Sequence, residues 1–499
     1  MLNLLDYVLK FGTVLVVSPY LIGRLGKDGY GVWVVLTALI GYLDLLDLGL
    51  SNTAVRYLGR ASAADRQGES VSLYRHFKAL YARIGAVAVG VALLGAALAP
   101  WFVDDPALQQ DARWVLGFGG VAFGGTFFLR IYSALIKSHV QYHRIIIASM
   151  ARVMVYSVLV FFVLAGEASV TRLIMAWLAG IAVEQTLLFF QGRKFVPTSE
   201  VEAASDLALE QRREIRGFAG KHFLAVMAAA LRERIDVQVV GGALNAVAVT
   251  HYAVGSRLIM MFVDVMNALF GGHFLAAFSR VHARDGEGGA AGRLLGTLRF
   301  SAHLALAGGV VIFVLGPPFI DRWLGPGFED SHFVLRILAP SYALMLMQYP
   351  VGPFLGSLNR HGVIATVSLV GAVFNLVGSL ILVRFAGMPG VVMATAAELG
   401  ITALLIWPVL AARAAMIPLG SYWTQIIVRP LLHLLPAALA VWWLARTYPP
   451  TTYVELVGHG VVDGILLMIA IWCTGFSRLE RAEVMRVLGF GNRVVANDA

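Results

Sequence analysis

Apolar runs of about 18–24 residues recur along nearly the whole chain, and each is long enough to cross a bilayer core as an α-helix. In hydrocarbon every backbone N–H and C=O must find its partner inside the protein, because no water is there to take it. Runs of this length without period-two alternation therefore form helices and not barrel strands. Composition agrees: 59% of the 499 residues are hydrophobic, 14% are charged, and the mean hydropathy is +0.76. Such a chain cannot supply the polar shell of a soluble domain of that length. The fold class that follows is an all-α polytopic membrane protein.

The runs read as about fourteen transmembrane helices. The first six cover 7–25, 29–50, 79–101, 113–136, 145–166 and 171–192. A polar stretch from Arg193 to Arg216 follows, reading as a linker with a short amphipathic helix. The next six spans cover 217–242, 248–273, 299–319, 333–356, 361–384 and 389–411, and two more lie at 424–446 and 455–475. The expected organisation is an N-lobe over 1–192, a cytoplasmic linker over 193–216 and a C-lobe over 217–411. A C-terminal helix pair over 412–475 and a cytoplasmic tail over 476–499 complete it.

Lys and Arg concentrate on one side of this layout, at Arg56, Arg60, Arg75, Lys137, Arg144, Arg193, Arg280, Arg360, Arg413 and Arg478. The opposite loops are short and partly acidic, as at Asp104, Asp105 and Asp111. By the positive-inside rule both termini are cytoplasmic. The same rule accounts for the formal net charge of +9 without nucleic acid as a partner. The opening reads as a first span and not as a removable signal peptide. The single Cys473 excludes an internal disulfide framework. No phosphate-binding Walker loop, H-E-x-x-H or G-x-S-x-G motif is present, and no outer loop is long enough to form a catalytic domain. A transporter is expected ahead of an enzyme, with no cofactor.

The chain also repeats itself. Arg60-Ala-Ser-Ala-Ala-Asp65-Arg-Gln-Gly-Glu69 and Arg280-Val-His-Ala-Arg-Asp285-Gly-Glu287 both follow the second span of a six-span set, about 220 residues apart. Tyr30 and Tyr252 have similar spacing. Both sets start from the same side, so the repeat is parallel, and two such lobes suit alternating access.

An ionisable group at mid-bilayer costs about 2.5–3.5 kcal/mol on insertion scales, so it is expected to face a cavity or a partner. Arg24, Arg83, Arg299 and Arg384 lie near span ends, where snorkelling is the simplest reading. Asp6 and Lys10 share a helix face and can pair. Asp44 and Asp47, three residues apart, either meet a cation or serve as a cap before Gly49. In the seventh span Arg232 and Asp236 share a face, with Arg234 pointing away. Arg257 and Asp264 lie on one side of the eighth. Arg130, Arg152, Glu184, Glu398, Arg429, His433 and Asp463 occupy other spans. The predominance of Arg suits phosphate or carboxylate, which its planar fork binds bidentately, unless Arg–Glu pairing cancels it.

Pro19-Tyr-Leu-Ile-Gly-Arg-Leu-Gly26-Lys-Asp-Gly-Tyr30-Gly-Val-Trp33, Gly41-Tyr-Leu-Asp-Leu-Leu-Asp-Leu-Gly-Leu50 and Ala54-Val-Arg-Tyr57 together resemble the opening of Wzx-type polysaccharide-unit flippases. These belong to the multidrug/oligosaccharidyl-lipid/polysaccharide exporter superfamily. Asp236-Val-Gln-Val-Val-Gly-Gly and Tyr252-Ala-Val-Gly-Ser-Arg257-Leu resemble that family's second lobe. The resemblance implies a V-shaped pair of six-helix lobes with a cationic lumen. It implies translocation of an undecaprenyl-diphosphate-linked sugar unit across the inner membrane, driven by a proton or sodium gradient. The last two helices resemble the extra pair of peptidoglycan-precursor flippases, although the first span departs from that subfamily. An exopolysaccharide or O-antigen unit is therefore preferred. Arg24, Arg56, Arg130, Arg152, Arg232 and Arg257 become substrate-binding candidates. Asp236, Asp264, Glu398, Asp44 and Asp47 become ion-coupling candidates. The expected partners are the polyprenyl-diphosphate glycan, membrane phospholipid, and a polymerase with chain-length or export proteins. A multidrug or cation antiporter of the same superfamily, a lipid II-type flippase, and a non-transporting scaffold or transferase are the alternatives.

Overall fold

Helix is the one regular structure among the described residues, which in this computed structural model are 2–102, 106–197, 235–270 and 272–475, with 213, 215, 217 and 227 in isolation. The linker beyond residue 197, most of the seventh expected span and the tail 476–499 fall outside them. Eleven helices among the described residues are long and apolar enough to cross a bilayer, where fourteen were expected. Three spans account for the difference. The first of the eleven, Leu5–Asp47, bends once and covers both the first and second expected spans. The tenth forms as α11 (Glu329–Met347, below), whose Glu329, Asp330, His332 and Arg336 dilute its apolar stretch. The seventh is largely undescribed.

The chain divides into two compact units, Met1–Ala253 and Val254–Ala499. In the first, α1 (Leu2–Gly41) runs into a 3-10 segment, Tyr42–Asp47, and then α2 (Leu50–Ala63) and α3 (Gln67–Phe102). A nearly unbroken helical stretch follows: α4 (Pro106–Trp114), a π-helical turn at Val115–Gly119, α5 (Gly120–Thr126), a 3-10 turn at Phe127–Leu129 and α6 (Arg130–Ser138). The hairpin α7 (Tyr142–Val163) and α8 (Val170–Gly192) follows. The π turn inserts a residue and shifts the phase of the packed face. Just after it, Gly120 lets α3 approach so closely that a Cβ would lie 2.5 Å from that of Ala92.

One core of this unit joins Trp33, Leu36 and Ile40 of α1 to Leu173 and Ile174 of α8. Another joins Tyr57 and Leu58 of α2 to Phe77 and Tyr81 of α3 and to Ile131 and Leu135 of α6. Hydroxyls tie α1 to α7, with Thr13 and Ser157 3.0 Å apart and Tyr20 donating to the Phe161 carbonyl. The Asp6–Lys10 pair expected from its spacing forms at 2.7 Å. Residues 235–253 also pack in this unit, although the expected lobes divide at 216/217. Gln238 donates to the Val35 carbonyl and Thr250 to that of Lys27.

In the second unit, α9 (Ala246–Phe270) continues from the first and is followed by α10 (Gly272–Leu324), α11 (Glu329–Met347) and the short α12 (Val351–Ser357). Next come α13 (His361–Ala386), α14 (Met388–Ile401) and, after a π turn, α15 (Trp407–Ala414). α16 (Leu419–Tyr422) passes through a second π turn into α17 (Arg429–Thr447). α18 (Tyr453–Ala470) ends in a third π turn at Ile471–Gly475. Buried polar ties join these apolar helices: Asn375 donates to Thr395 at 2.9 Å, Ser301 to the Leu346 carbonyl, and Tyr422 to Gln348 at 2.6 Å.

The two repeated charged motifs occupy the same kind of place in each unit. Each follows a helix, contains a break with one positive φ, and leads into a long span. The break falls at Asp65 (φ 52°) between α2 and α3, and at Gly286 (φ 72°) within α10. What read as polar loops are therefore helical extensions of the spans, interrupted by a single turn. The first two spans meet in a similar way at Gly26 (φ 72°, ψ 174°), a backbone region open to glycine alone. Gly26→Val is expected to lose about 1–3 kcal/mol of stability. A lower apparent melting temperature of the purified protein in detergent checks this, and an unchanged one would contradict the strain argument.

Candidate functional site

Between α1 and α2 the chain turns through Leu48 (φ 49°) and Gly49 (φ 74°), which sets Asp44 and Asp47 just ahead of the N-terminus of α2. Asp47 accepts hydrogen bonds from the Ser51 backbone N–H at 3.0 Å and from its hydroxyl at 2.7 Å. One carboxylate thereby satisfies a first-turn N–H that has no intrahelical partner. Tyr81 of α3 donates to the Ser51 hydroxyl from the other side.

Arg130, the first residue of α6, reaches both carboxylates. Its Nη2 lies 2.5 Å from Asp44 Oδ1 and its Nη1 3.3 Å from Asp47 Oδ1. The guanidinium lies over the Phe127 ring at 3.8 Å from its centroid, with Phe123 at 5.9 Å. Cap and cation partner were competing readings for Asp47, and it is both. Asp44 is 46% exposed, so its pairing with Arg130 is partly screened and contributes no more than about 1 kcal/mol.

Asp44, Ser51, Phe123 and Arg130 line a cavity of about 330 Å³ within the first unit, with Asp47 joined to it through Arg130. From α7 and α8 it receives a second pair, Arg152 Nε and Glu184 Oε2 at 3.3 Å, together with the Trp177 ring. Lys137 of α6 also lines it, and its ammonium makes no ion pair among the described residues. Positive and negative groups thus face one space, with each Arg held by carboxylate. Such a cavity can accept an anion by exchange. Phosphate oxygens replace carboxylates on the guanidinium forks, and Lys137 adds uncommitted positive charge.

Of the residues singled out from sequence, Arg130, Arg152, Asp44 and Asp47 converge here, the four drawn from two different expected roles. Arg24 does not line this cavity. Its Nε and Nη2 donate to the Leu164, Ala165 and Gly166 carbonyls at 2.5–2.8 Å, closing the exposed C-terminal end of α7. Arg56 lies on the exposed side of α2 and is not among the lining residues. Asp236 is buried in the first unit and accepts from the Tyr252 hydroxyl at 2.5 Å. Arg257 and Asp264 are exposed along α9, and Glu398 is buried in α14, where Thr402 donates to it at 3.1 Å. Arg232 lies outside the described residues. Lys137 and Glu184 were not candidates. The seven-residue spacing of Arg130 and Lys137, which stacks them on one helix face, was the available signal for Lys137. Glu184 joins the site through a contact between two helices that sequence spacing does not encode.

Asp47→Ala removes the Ser51 cap and one carboxylate from Arg130, and is expected to cost about 1–2 kcal/mol. Asp47→Asn keeps an acceptor for Ser51 and is expected to cost less than about 1 kcal/mol. Apparent melting temperatures in detergent should fall in the order wild type, Asn, Ala. Equal values for the two variants would remove the cap from this account.

A family model described as "Polysaccharide biosynthesis protein" matches residues 24–332, more than half of the chain. The uncharacterized membrane protein EpsK of Bacillus subtilis (strain 168) is 23% identical over 511 residues, covering 97% of this chain and 96% of that one. Among solved structures, the lipid II flippase MurJ in an inward closed conformation is similar with a TM-score of 0.65 at 12% identity. The match covers 97% of this chain and 99% of that one. Coverage of that extent takes in the C-terminal helix pair. An inward-facing MATE family multidrug resistance transporter of the MOP superfamily is similar with a TM-score of 0.60 at 13% identity, covering 81% of this chain and 96% of that one. The resemblance drawn from the opening motifs is borne out by family and fold together. The chain belongs to the family of polysaccharide biosynthesis proteins and is a multi-pass membrane protein with the helical fold of MurJ and the MATE transporters.

Proposed function

We propose that the protein is an inner-membrane flippase, with both termini cytoplasmic, for a polyprenyl-diphosphate-linked oligosaccharide unit of an exopolysaccharide, O-antigen or capsule. The observation that carries this reading is the grouping of Arg130, Arg152 and Lys137 around one membrane-embedded cavity, each Arg on a carboxylate it can exchange for phosphate. The family supports a role in polysaccharide assembly, and the fold supports a transporter ahead of an enzyme. A diphosphate leaving water for this cavity must replace its hydration with charge-assisted hydrogen bonds. Arg130 and Arg152 supply them once Asp44, Asp47 and Glu184 let go. Protonating or cation-loading those carboxylates frees the guanidiniums, which links an ion gradient to substrate affinity. Asp236, Asp264 and Glu398 are further ion-coupling candidates on this reading, and Arg56, Arg232 and Arg257 further substrate contacts.

Arg130→Ala is expected to lower translocation of a polyprenyl-diphosphate glycan in proteoliposomes by at least about tenfold, the worth of one charge-assisted contact. Arg130→Lys should retain part of the activity, since a single ammonium cannot reproduce the bidentate fork. Full translocation by well-folded Arg130→Ala would remove the cavity from the mechanism. A second reading, a multidrug exporter, is favoured by the three carboxylates and the Trp177 and Phe123 rings at the same cavity. Organic cations would use those groups directly. Drug resistance conferred on a pump-deleted host, without glycan translocation, would select that reading.

A further inference from the structure

The C-terminal helix α18 packs against α10 and α17. The face it buries carries Leu456, Asp463, Leu467 and, in the π turn, Ile471, which fall on one stripe. Asp463 thus occupies a core position. Its side chain is 0% exposed, and neither carboxylate oxygen has a hydrogen-bond partner among the described residues. Val461, Val462, Ile465 and Met468 on the other faces of the helix are all about half exposed or more, as lipid-facing residues are. A carboxyl therefore sits near the middle of a spanning helix, on its packed side.

Apart from His459, the charged and titratable groups nearest along the three helices are engaged elsewhere. On α18, Glu455 is spent on the capping box with Thr451 and Thr452. His459, one turn from Asp463, makes no hydrogen bond to it, and its Nδ1 is itself buried without a partner among the described residues. On α10, the Asp321 carboxylate meets His332, and Arg322 lies at the helix's end near Tyr453. His303 shares its Nδ1 with the Arg299 carbonyl and stacks on His433 of α17 with centroids 5.8 Å apart. That imidazole pair lies beside Gly475, twelve residues and so about 18 Å along the helix axis from Asp463. Arg299 and Arg429 belong to the same end of the unit, each one turn from its histidine. On α17, the Arg446 guanidinium lies over the Trp442 ring. No cation on any of the three pairs with Asp463 among the described residues.

An ionised carboxylate enclosed in this way would carry a desolvation cost that no hydrogen bond or ion pair offsets, with only the imidazole of His459 one turn away to temper it, whereas the neutral acid carries little. A metal cation is a poor substitute, because the buried stripe of α18 offers it no other oxygen-bearing side chain. We propose that Asp463 is a proton-binding site. It holds its proton while α18 is packed on α10 and α17, and releases it when those helices part enough to admit water. Proton occupancy and the packing of the C-terminal helix pair are then two sides of one equilibrium. The use of that proton in transport rests on the flippase reading, but the site does not.

The test uses the full-length protein reconstituted in liposomes and treated with dicyclohexylcarbodiimide, which adds to neutral buried carboxyls and leaves a stable adduct for peptide mass spectrometry. Asp463 should be labelled at low pH, and the labelling should fall severalfold as the pH is raised and the acid titrates. Asp463→Asn, a neutral isostere of the acid, should fold, lose the adduct at this position and reduce the pH dependence of glycan translocation. Absence of an adduct at low pH, or labelling that stays constant from acid to alkaline pH, overturns the proposal. Protection of Asp463 by sodium at constant pH overturns it in favour of a metal cation. A titrating adduct in a wild-type protein that moves no glycan would sink the flippase reading and leave the proton site standing.

Discussion

Inside a bilayer nothing but the protein can satisfy a peptide group, and every feature of this molecule answers to that. Helices are the local solution, and the described residues contain no other regular structure. Where a helix ends or turns, its freed carbonyls still need donors. Arg24 supplies three of them at the end of α7, and Asp47 performs the converse service for the start of α2. Residues that look like transport machinery in isolation can thus be fully occupied with holding backbone ends together. Function has to be sought where charge exceeds what the backbone requires.

That excess is found in two places with opposite logic. In the first unit Arg130 and Arg152 are balanced by Asp44, Asp47 and Glu184, so the cavity is charged throughout while neither guanidinium is left without a counter-charge. Such a site binds by exchange, and its affinity is set by how firmly the carboxylates hold. In the C-terminal pair a single carboxyl stands among apolar neighbours, and neutrality is reached there through a proton. Pairing and protonation are the two means by which a low-dielectric interior tolerates an acid. This chain uses one in each unit.

Much of the architecture was legible in the sequence, and the site only in part. Most span positions, the parallel placement of the two charged motifs and the Asp6–Lys10 pair follow from periodicities of 3.6 residues and from the length of a bilayer crossing. The irregularities were not legible. The π turns at Val115–Gly119 and Thr402–Ile406 have no composition that marks them, and the motif beginning at Arg60 read as a loop because its charges masked the two helices that meet within it at Asp65. Asp44 and Asp47 were seen as a close pair of like charges, but the arginine that reconciles them stands more than eighty residues away.

Sequence alone determined that this chain is a bundle of membrane-spanning helices, because span length and hydropathy are local properties that solvent reads directly. It also determined that several arginines and carboxylates must find partners at depth, since leaving them in lipid costs too much. Which carboxylate meets which arginine was decided only by the tertiary structure. Helix spacing says which face a side chain lies on, but the partner across a helix–helix contact depends on the rotation and register of two helices, which many sequences could satisfy. Arg24 at the end of a helix, Arg130 between two aspartates and Asp463 enclosed on the packed side of α18 are therefore tertiary facts.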